Sequence, residues 1–195
     1  MDIEKITEEV ENYLQESLKT AKYQIGLIDS ILEVSQEMQN TINSGGKIIF
    51  CGNGGSAADS QHLAAELVVR FKENRNPIPA ISLTTDTSVI TSIGNDFGFD
   101  FIFSRQLEAV GDKKDFLVVI TTSGKSQNII EAVKQANEMD IKVLSLTGKD
   151  TSLLEERSSY IISIPSDLTG VIQQAHITLG QIFCKILELN IINKK

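Results

Sequence analysis

A histidine and a glutamate four residues apart, His62 and Glu66, are the side chains of this sequence best suited to do chemistry. In a helix that spacing puts both on one face, one turn apart. Neutral imidazole and carboxylate are zinc ligands, and a carboxylate can also take a proton from carbon and return it. The pair follows closely on Gly52-Asn53-Gly54-Gly55-Ser56, a glycine-rich turn that closes the apolar run Lys47-Ile-Ile-Phe-Cys51. Strand, tight turn and helix N-terminus together make a place where backbone N–H groups hold an anion. A second turn, Thr121-Thr122-Ser123-Gly124-Lys125-Ser126, offers four hydroxyls, a glycine and a lysine ahead of another helical pattern. Hydroxyls and free N–H groups at a helix start suit a phosphate monoester.

Each motif has a plainer alternative. Gly52 to Ala57 matches the G-x-G-x-x-A fingerprint of dinucleotide folds, which also needs an acidic residue about 20 positions on, at the end of the second strand. Glu73 falls in a polar loop before that strand and Asp86 comes some ten residues late, so a nicotinamide cofactor is not supported. Gly124-Lys125-Ser126 resembles the end of a P-loop, but the motif's first glycine would be Val119, which excludes it. Ser and Thr also favour ordinary N-caps, and a His-x-x-x-Glu pair can be a plain helix-surface pair. The joint placement of the two turns and the pair favours phosphate binding.

Gly94-Asn95-Asp96-Phe97-Gly98-Phe99 is a polar turn carrying a carboxylate, equally suited to ligand contact or to a surface turn. In the last helical segment Gln173, Gln174, His176 and Gln181 interrupt an apolar pattern. Gln173 and Gln181 lie about 80° apart around a helix axis, whereas His176 is about 140° from Gln181. His176 therefore does not serve the same site as Gln181, and core or interface hydrogen bonding is the alternative for each.

The elements that must position these residues follow from periodicity. Residues 2–44 carry a helical apolar stripe, Ile3, Ile6, Val10, Tyr13, Ala21, Ile25, Ile28, Leu32, Met38 and Ile42. A break is expected near Gly26, and Gly45-Gly46 supplies the stop. This stripe either packs against a second subunit or covers its own sheet. Strands are expected at 47–51, 80–83, 116–121, 142–146 and 160–164. Helices are expected at about 57–71, 87–93 with 102–110, 127–139, 152–158 and 171–188. Strands rich in Val, Ile, Leu and Phe without alternation suit a parallel sheet covered on both faces. The predicted fold is α/β, a doubly wound five-stranded parallel sheet in the flavodoxin-like order 2-1-3-4-5 with N-terminal helices. In that order the two candidate turns flank the switch point, outside the carboxyl ends of the strands.

The 195 residues fit one domain, 1–195, with N-terminal helices over 1–44 and an α/β core over 47–190. A net charge of −8 argues against nucleic-acid or membrane-surface binding. The two cysteines, Cys51 and Cys184, are too few for a disulfide framework or a cysteine-rich zinc site. Nothing after Met1 reads as a signal peptide, and no apolar run was expected to reach the roughly 20 residues of a membrane span. A cytoplasmic protein is expected.

Assembled, Cys51-Gly-Asn-Gly-Gly-Ser56, Gln61-His62-Leu-Ala-Ala-Glu66-Leu67, Arg70-Phe-Lys-Glu-Asn-Arg75, Gly94-Asn-Asp-Phe-Gly-Phe99 and Thr147-Gly-Lys-Asp150 give the chain its resemblance. It resembles the sugar-isomerase (SIS) domain family over nearly its whole length, within it the branch acting on heptose phosphates. The resemblance implies interconversion of sedoheptulose 7-phosphate and D-glycero-D-manno-heptose 7-phosphate through an enediolate, in bacterial heptose synthesis for lipopolysaccharide or capsule. It implies a homotetramer with sites between subunits, the N-terminal helices used in assembly, and one Zn2+ in each site. It puts metal ligation on His62, Glu66, Gln173 and Gln181, and catalysis on Glu66 and Gln181. Substrate contacts would fall on Asn53, Gly54, Gly55, Ser56, Glu66, Asn95, Asp96, Thr121, Thr122, Ser123, Ser126 and Gln173. The chain departs from the family pattern in places: Lys125 replaces a usual Asn, Thr121 a usual Ser, Val171 and Gln174 an Arg and a Glu of the last helix, and Gln181 a histidine that binds zinc and moves a proton. An amide ligates weakly through oxygen and does not exchange a proton near neutral pH, so the last change implies weakened activity and zinc binding. The alternatives are a non-catalytic SIS adaptor that binds the bacterial replication initiator, and a phosphosugar sensor. Glu66, whose counterpart that adaptor lacks, favours the enzyme.

Overall fold

The computed structural model describes residues 2–193 and begins with two helices, α1 (Ile3–Ile25) and α2 (Ile28–Asn43). Asp2 caps α1 by accepting a bond from the Lys5 N–H, and the chain breaks at Gly26 as the sequence predicts. The alternating part follows: β1 (Ile48–Gly52), α3 (Gly55–Val68), β2 (Ala80–Ser82), α4 (Thr87–Asp96), α5 (Ser104–Val110), β3 (Phe116–Thr121), α6 (Gln127–Glu138), β4 (Lys142–Thr147), β5 (Tyr160–Ser163) and α7 (Thr169–Ile192). All pairings are parallel and the strand order is β2-β1-β3-β4-β5, as expected. The central strands β1 and β3 are buried along their whole length, which explains why their sequences do not alternate.

Two apolar layers sandwich the sheet. One packs Val34 and Met38 of α2, Leu63 and Leu67 of α3, and Leu179, Phe183 and Leu187 of α7 against Ile48, Phe50, Val118 and Leu144. The other packs Ile93 of α4, Leu107 of α5 and Ile129 and Val133 of α6 against Ile49, Leu117 and Val143. Helix α1 lies along α7: the Gln24 amide donates to the Ala175 carbonyl at 2.7 Å and the Ser17 hydroxyl donates to Gln174 at 2.9 Å. Its apolar stripe does not cover the sheet. Ile3, Val10, Leu14, Leu18 and Ile25 are exposed in the protomer, and so are Ile28 and Leu32 on α2.

Two expectations are corrected. The helix expected over 152–158 is a run of turns, because Asp150 takes both the N–H and the hydroxyl of Ser152 and so competes with helical bonding. Helix α7 is, by length and composition, apolar enough to cross a membrane, contrary to the expectation from the sequence. Here it is a core helix: Ile172, Ala175, Leu179, Phe183 and Leu187 are buried against the sheet side.

Candidate active site

The site is built where β1 and β3 end and their following helices begin. After Gly52, α3 starts at Gly55 with Gly54 as a cap that has no side chain to offer. The Ser56 N–H turns back to the Asn53 carbonyl at 3.0 Å, and those of Ala57 and Ala58 to Gly54 at 3.1 and 3.3 Å. That leaves Gly54 and Gly55 to present open N–H groups at a positive helix end. Across the switch point, Ser126 caps α6 without using its side chain. Thr121 Oγ1 receives the Gly124 N–H at 3.3 Å, and Ser123 Oγ receives that of Lys125 at 3.2 Å, so the hydroxyl turn is folded on itself. Lys125 turns away to the half-buried Asp150, 2.8 Å off. That hydrogen bond and the neighbouring charge raise the Lys125 pKa, and the same bond with those from Ser152 holds the Asp150 carboxyl far below its usual value.

A residue outside the sequence-predicted set joins the two turns. The Asn53 amide donates to Asn128 Oδ1 at 2.9 Å, and the Asn128 amide donates back to Asn53 Oδ1 at 2.8 Å. Asn128 is buried in the first turn of α6. Its signal in the sequence was an amide two residues after Ser126, where the pattern wants an apolar residue no more than a polar one.

On α3, His62 Nε2 lies 3.2 Å from Glu66 Oε1, with the two side chains 49% and 22% exposed. Gln181 Nε2 approaches the same imidazole nitrogen to 3.4 Å from α7. Gln173, two turns earlier on α7, lays its amide over Gly55. A Cβ built at Gly55 would meet Gln173 Nε2 at 2.6 Å, so glycine is the residue that lets the amide reach the turn. The structure therefore brings His62, Glu66, Gln173 and Gln181 to one edge of the α3–α7 seam. Asp59, one turn before His62, has a buried Oδ2 with no hydrogen-bond partner. Burial raises its pKa and the nearby His62 lowers it in part.

Other expected positions fall elsewhere. Ser56 is buried under the turn. Asn95 and Asp96 are exposed at the end of α4 and bond each other at 2.7 Å, with no hydrogen bond or ion pair to His62 or Glu66 among the described residues. Asp96 faces a groove of about 530 Å³ shared with Asp86, Phe97 and Arg105. His176, as the angular argument required, points away from the site: it is fully buried, and its Nε2 meets the Thr147 carbonyl at 3.0 Å.

Whether these residues suit a divalent cation can be judged from their donors. The single lone pair or proton on His62 Nε2 cannot satisfy both the Glu66 carboxylate and the Gln181 amide nitrogen, yet both converge on it. A cation accepting the imidazole lone pair, Glu66 and an amide oxygen resolves that conflict. Among the described residues no three His, Cys, Asp or Glu side chains gather at one point. The donor set thus fits a cation, held by fewer strong ligands than a closed zinc site has.

The SIS domain family model matches residues 8–148. A phosphoheptose isomerase of Akkermansia muciniphila is 48% identical over 161 residues, which cover 83% of this chain and 85% of that one. The chain belongs to the phosphoheptose isomerase family of SIS domains. Phosphoheptose isomerase 1 of Campylobacter jejuni is 45% identical over 92% of this chain and 96% of its own length. The structure of phosphoheptose isomerase GmhA from Neisseria gonorrhoeae superposes with a TM-score of 0.88 at 39% identity, covering 94% of this chain and 99% of that one. The family model spans both candidate turns and α3.

Proposed function

We propose that this chain is an aldose–ketose isomerase that interconverts sedoheptulose 7-phosphate and D-glycero-D-manno-heptose 7-phosphate in the cytoplasm, supplying heptose precursors. The observation that carries the reading is the single seam holding His62, Glu66, Gln173 and Gln181 beside two anion-suited turns. The phosphate is held by the N–H groups of Gly54 and Gly55 and the hydroxyls of Thr121, Thr122, Ser123 and Ser126, which fixes the sugar's other end against α3. Glu66 removes a proton from C1 of the ketose. The bond electrons form the C1–C2 double bond of an enediolate and leave negative charge on the C2 oxygen. Glu66 then returns the proton to C2, while the O1 proton passes to O2, giving the aldehyde at C1 and a hydroxyl at C2. Zn2+ bound by His62, Glu66, Gln173 and Gln181 would supply a positive charge beside that oxygen. Gln181 orients but exchanges no proton, so Glu66 carries the carbon-to-carbon transfer.

The exposure of His62 and of the α1 and α2 stripe supports a homotetramer in which neighbouring copies wall the site. Asn95 and Asp96 would then reach it from an adjacent subunit. A binding-only SIS adaptor is the second reading, and Gln181 beside His62 is the observation that favours it. The test is turnover of sedoheptulose 7-phosphate by purified, zinc-saturated protein, with Glu66→Gln as control. Aldose formation that disappears in the variant is the expected result; no turnover in the unmodified protein rejects the enzyme.

A further inference from the structure

Helices α3 and α7 run side by side in the same direction: Gly55 meets Gln173, His62 and Leu63 meet Gln181 and Gly180, and residues 71–73, just past α3, meet Glu188. At Gly180 the Leu63 side chain packs directly on the α7 backbone, where a Cβ would meet its Cδ1 at 2.4 Å. Where the pair ends, a buried ion pair closes it. The Glu188 carboxylate accepts three successive backbone N–H groups, Phe71 at 3.0 Å, Lys72 at 2.8 Å and Glu73 at 3.0 Å. Arg75 lies 3.2 Å from the same carboxylate through Nε, in ionic contact rather than an aligned hydrogen bond. Its Nη atoms donate to the Leu67 carbonyl at 2.8 Å, to Asn76 at 2.9 Å and to the carbonyl of Glu66 itself at 2.9 Å. The Leu67 and Glu66 carbonyls belong to the last turn of α3, where they have no acceptor role left within the helix and face a positive charge favourably. Glu188 stands seven residues beyond Gln181, so both project from the α3-facing side of α7.

We infer that Arg75 and Glu188 are positioning residues, a clamp that sets the axial register of α3 against α7 and so holds His62 and Glu66 opposite Gln181. The role rests on the isomerase reading for its catalytic consequence, but not for its geometry. A chelating set divided between two helices is only as well formed as their mutual register, and an error of about 1 Å at a reacting group can cost about a hundredfold in rate. Both side chains are buried, 1% and 4% exposed. A buried pair contributes little net stability over an apolar one, so register is the function that the three N–H bonds and the Glu66 carbonyl bond describe.

The test uses the full chain with Glu188→Asp, Glu188→Gln and Arg75→Lys. Glu188→Asp keeps the charge and shortens the arm by one methylene, so it stays folded and moves the anchor. Three quantities are measured well below each variant's Tm: kcat and KM, zinc Kd by chelator competition, and the imidazole resonances of selectively labelled histidine. The chain has two histidines, His62 at the seam and His176 in the core, so each is read separately. For Glu188→Asp the clamp requires a kcat at least threefold lower, a zinc Kd at least threefold weaker, KM within twofold, and a shifted His62 signal beside an unmoved His176. Arg75→Lys, which cannot span the two carbonyls, gives the same pattern more strongly. Folded Glu188→Asp and Glu188→Gln proteins with all three readouts unchanged overturn the inference. If the unmodified protein shows no turnover while His62 still shifts in Glu188→Asp, the isomerase reading fails and the clamp stands.

Discussion

Asn53 and Asn128 exchange both of their amide hydrogen bonds, at 2.9 and 2.8 Å, across the gap between the β1 and β3 turns. Each turn alone is a generic helix start; the amide pair fixes the distance between them, and so the size of the anion they can share. Removing one partner leaves the other with unpaired polar atoms. Asn128→Leu is therefore expected to cost about 1–3 kcal/mol of stability and to raise KM for the sugar phosphate by roughly tenfold with a smaller loss in kcat. Denaturant unfolding and steady-state kinetics check the two parts, and an unchanged KM would show that the turns hold their spacing without the pair.

Gln181→His supplies an imidazole where an amide now lies 3.4 Å from His62. A stronger ligand and a group that exchanges protons near neutral pH should tighten zinc binding by on the order of tenfold or more and raise kcat by a similar factor. Zinc competition and turnover on the same preparation test both. Tighter zinc with an unchanged rate would mean that proton transfer never depended on this position.

Gly55→Ala places a methyl group 2.6 Å from the end of the Gln173 side chain. That amide is flexible and can swing aside, so the stability change should stay below about 1 kcal/mol, whereas kcat should fall about tenfold because a site amide leaves the turn. A large loss of Tm would instead indicate that the backbone has moved.

Stability should fall on mild acidification through His176. Burial holds its pKa down to about 4, against a small opposing effect of the bond to the Thr147 carbonyl. The unfolded imidazole titrates near 6.5. Above that pH both states are neutral and stability is full; as pH falls towards 4 the unfolded chain takes a proton that the folded chain refuses. The expected slope is about 1.4 kcal/mol per pH unit across that window. Denaturant midpoints between pH 7 and pH 5, compared with His176→Gln, should give a flatter line for the variant.

Much of the fold and of the site is legible in the sequence. The i,i+4 spacing of His62 and Glu66, the two turns at the switch point and the strand order follow from local pattern and handedness, which short-range sequence carries well. The N-terminal break at Gly26 was equally local. The turns over 152–158 were missed because one carboxylate, Asp150, outcompetes a weak helix. The roles of Asn128, Arg75 and Glu188 are hidden for another reason. Their roles depend on partners 75 and 113 or more residues away, as in Asn53–Asn128 and Arg75–Glu188, and no periodicity marks such pairs.

Helix α7 supplies Gln173, Gln181 and Glu188, and it is the last element of the fold. During synthesis all five strands therefore leave the ribosome before the residues that complete the site. A nascent chain stopped at Leu168 would own the whole sheet and both turns, yet present Leu63, Leu67 and Phe50 to water. Such a fragment should be inert and sticky, a target for chaperones or proteases. A frameshift at the start of the α7 codons would leave such a fragment in place of a folded protein.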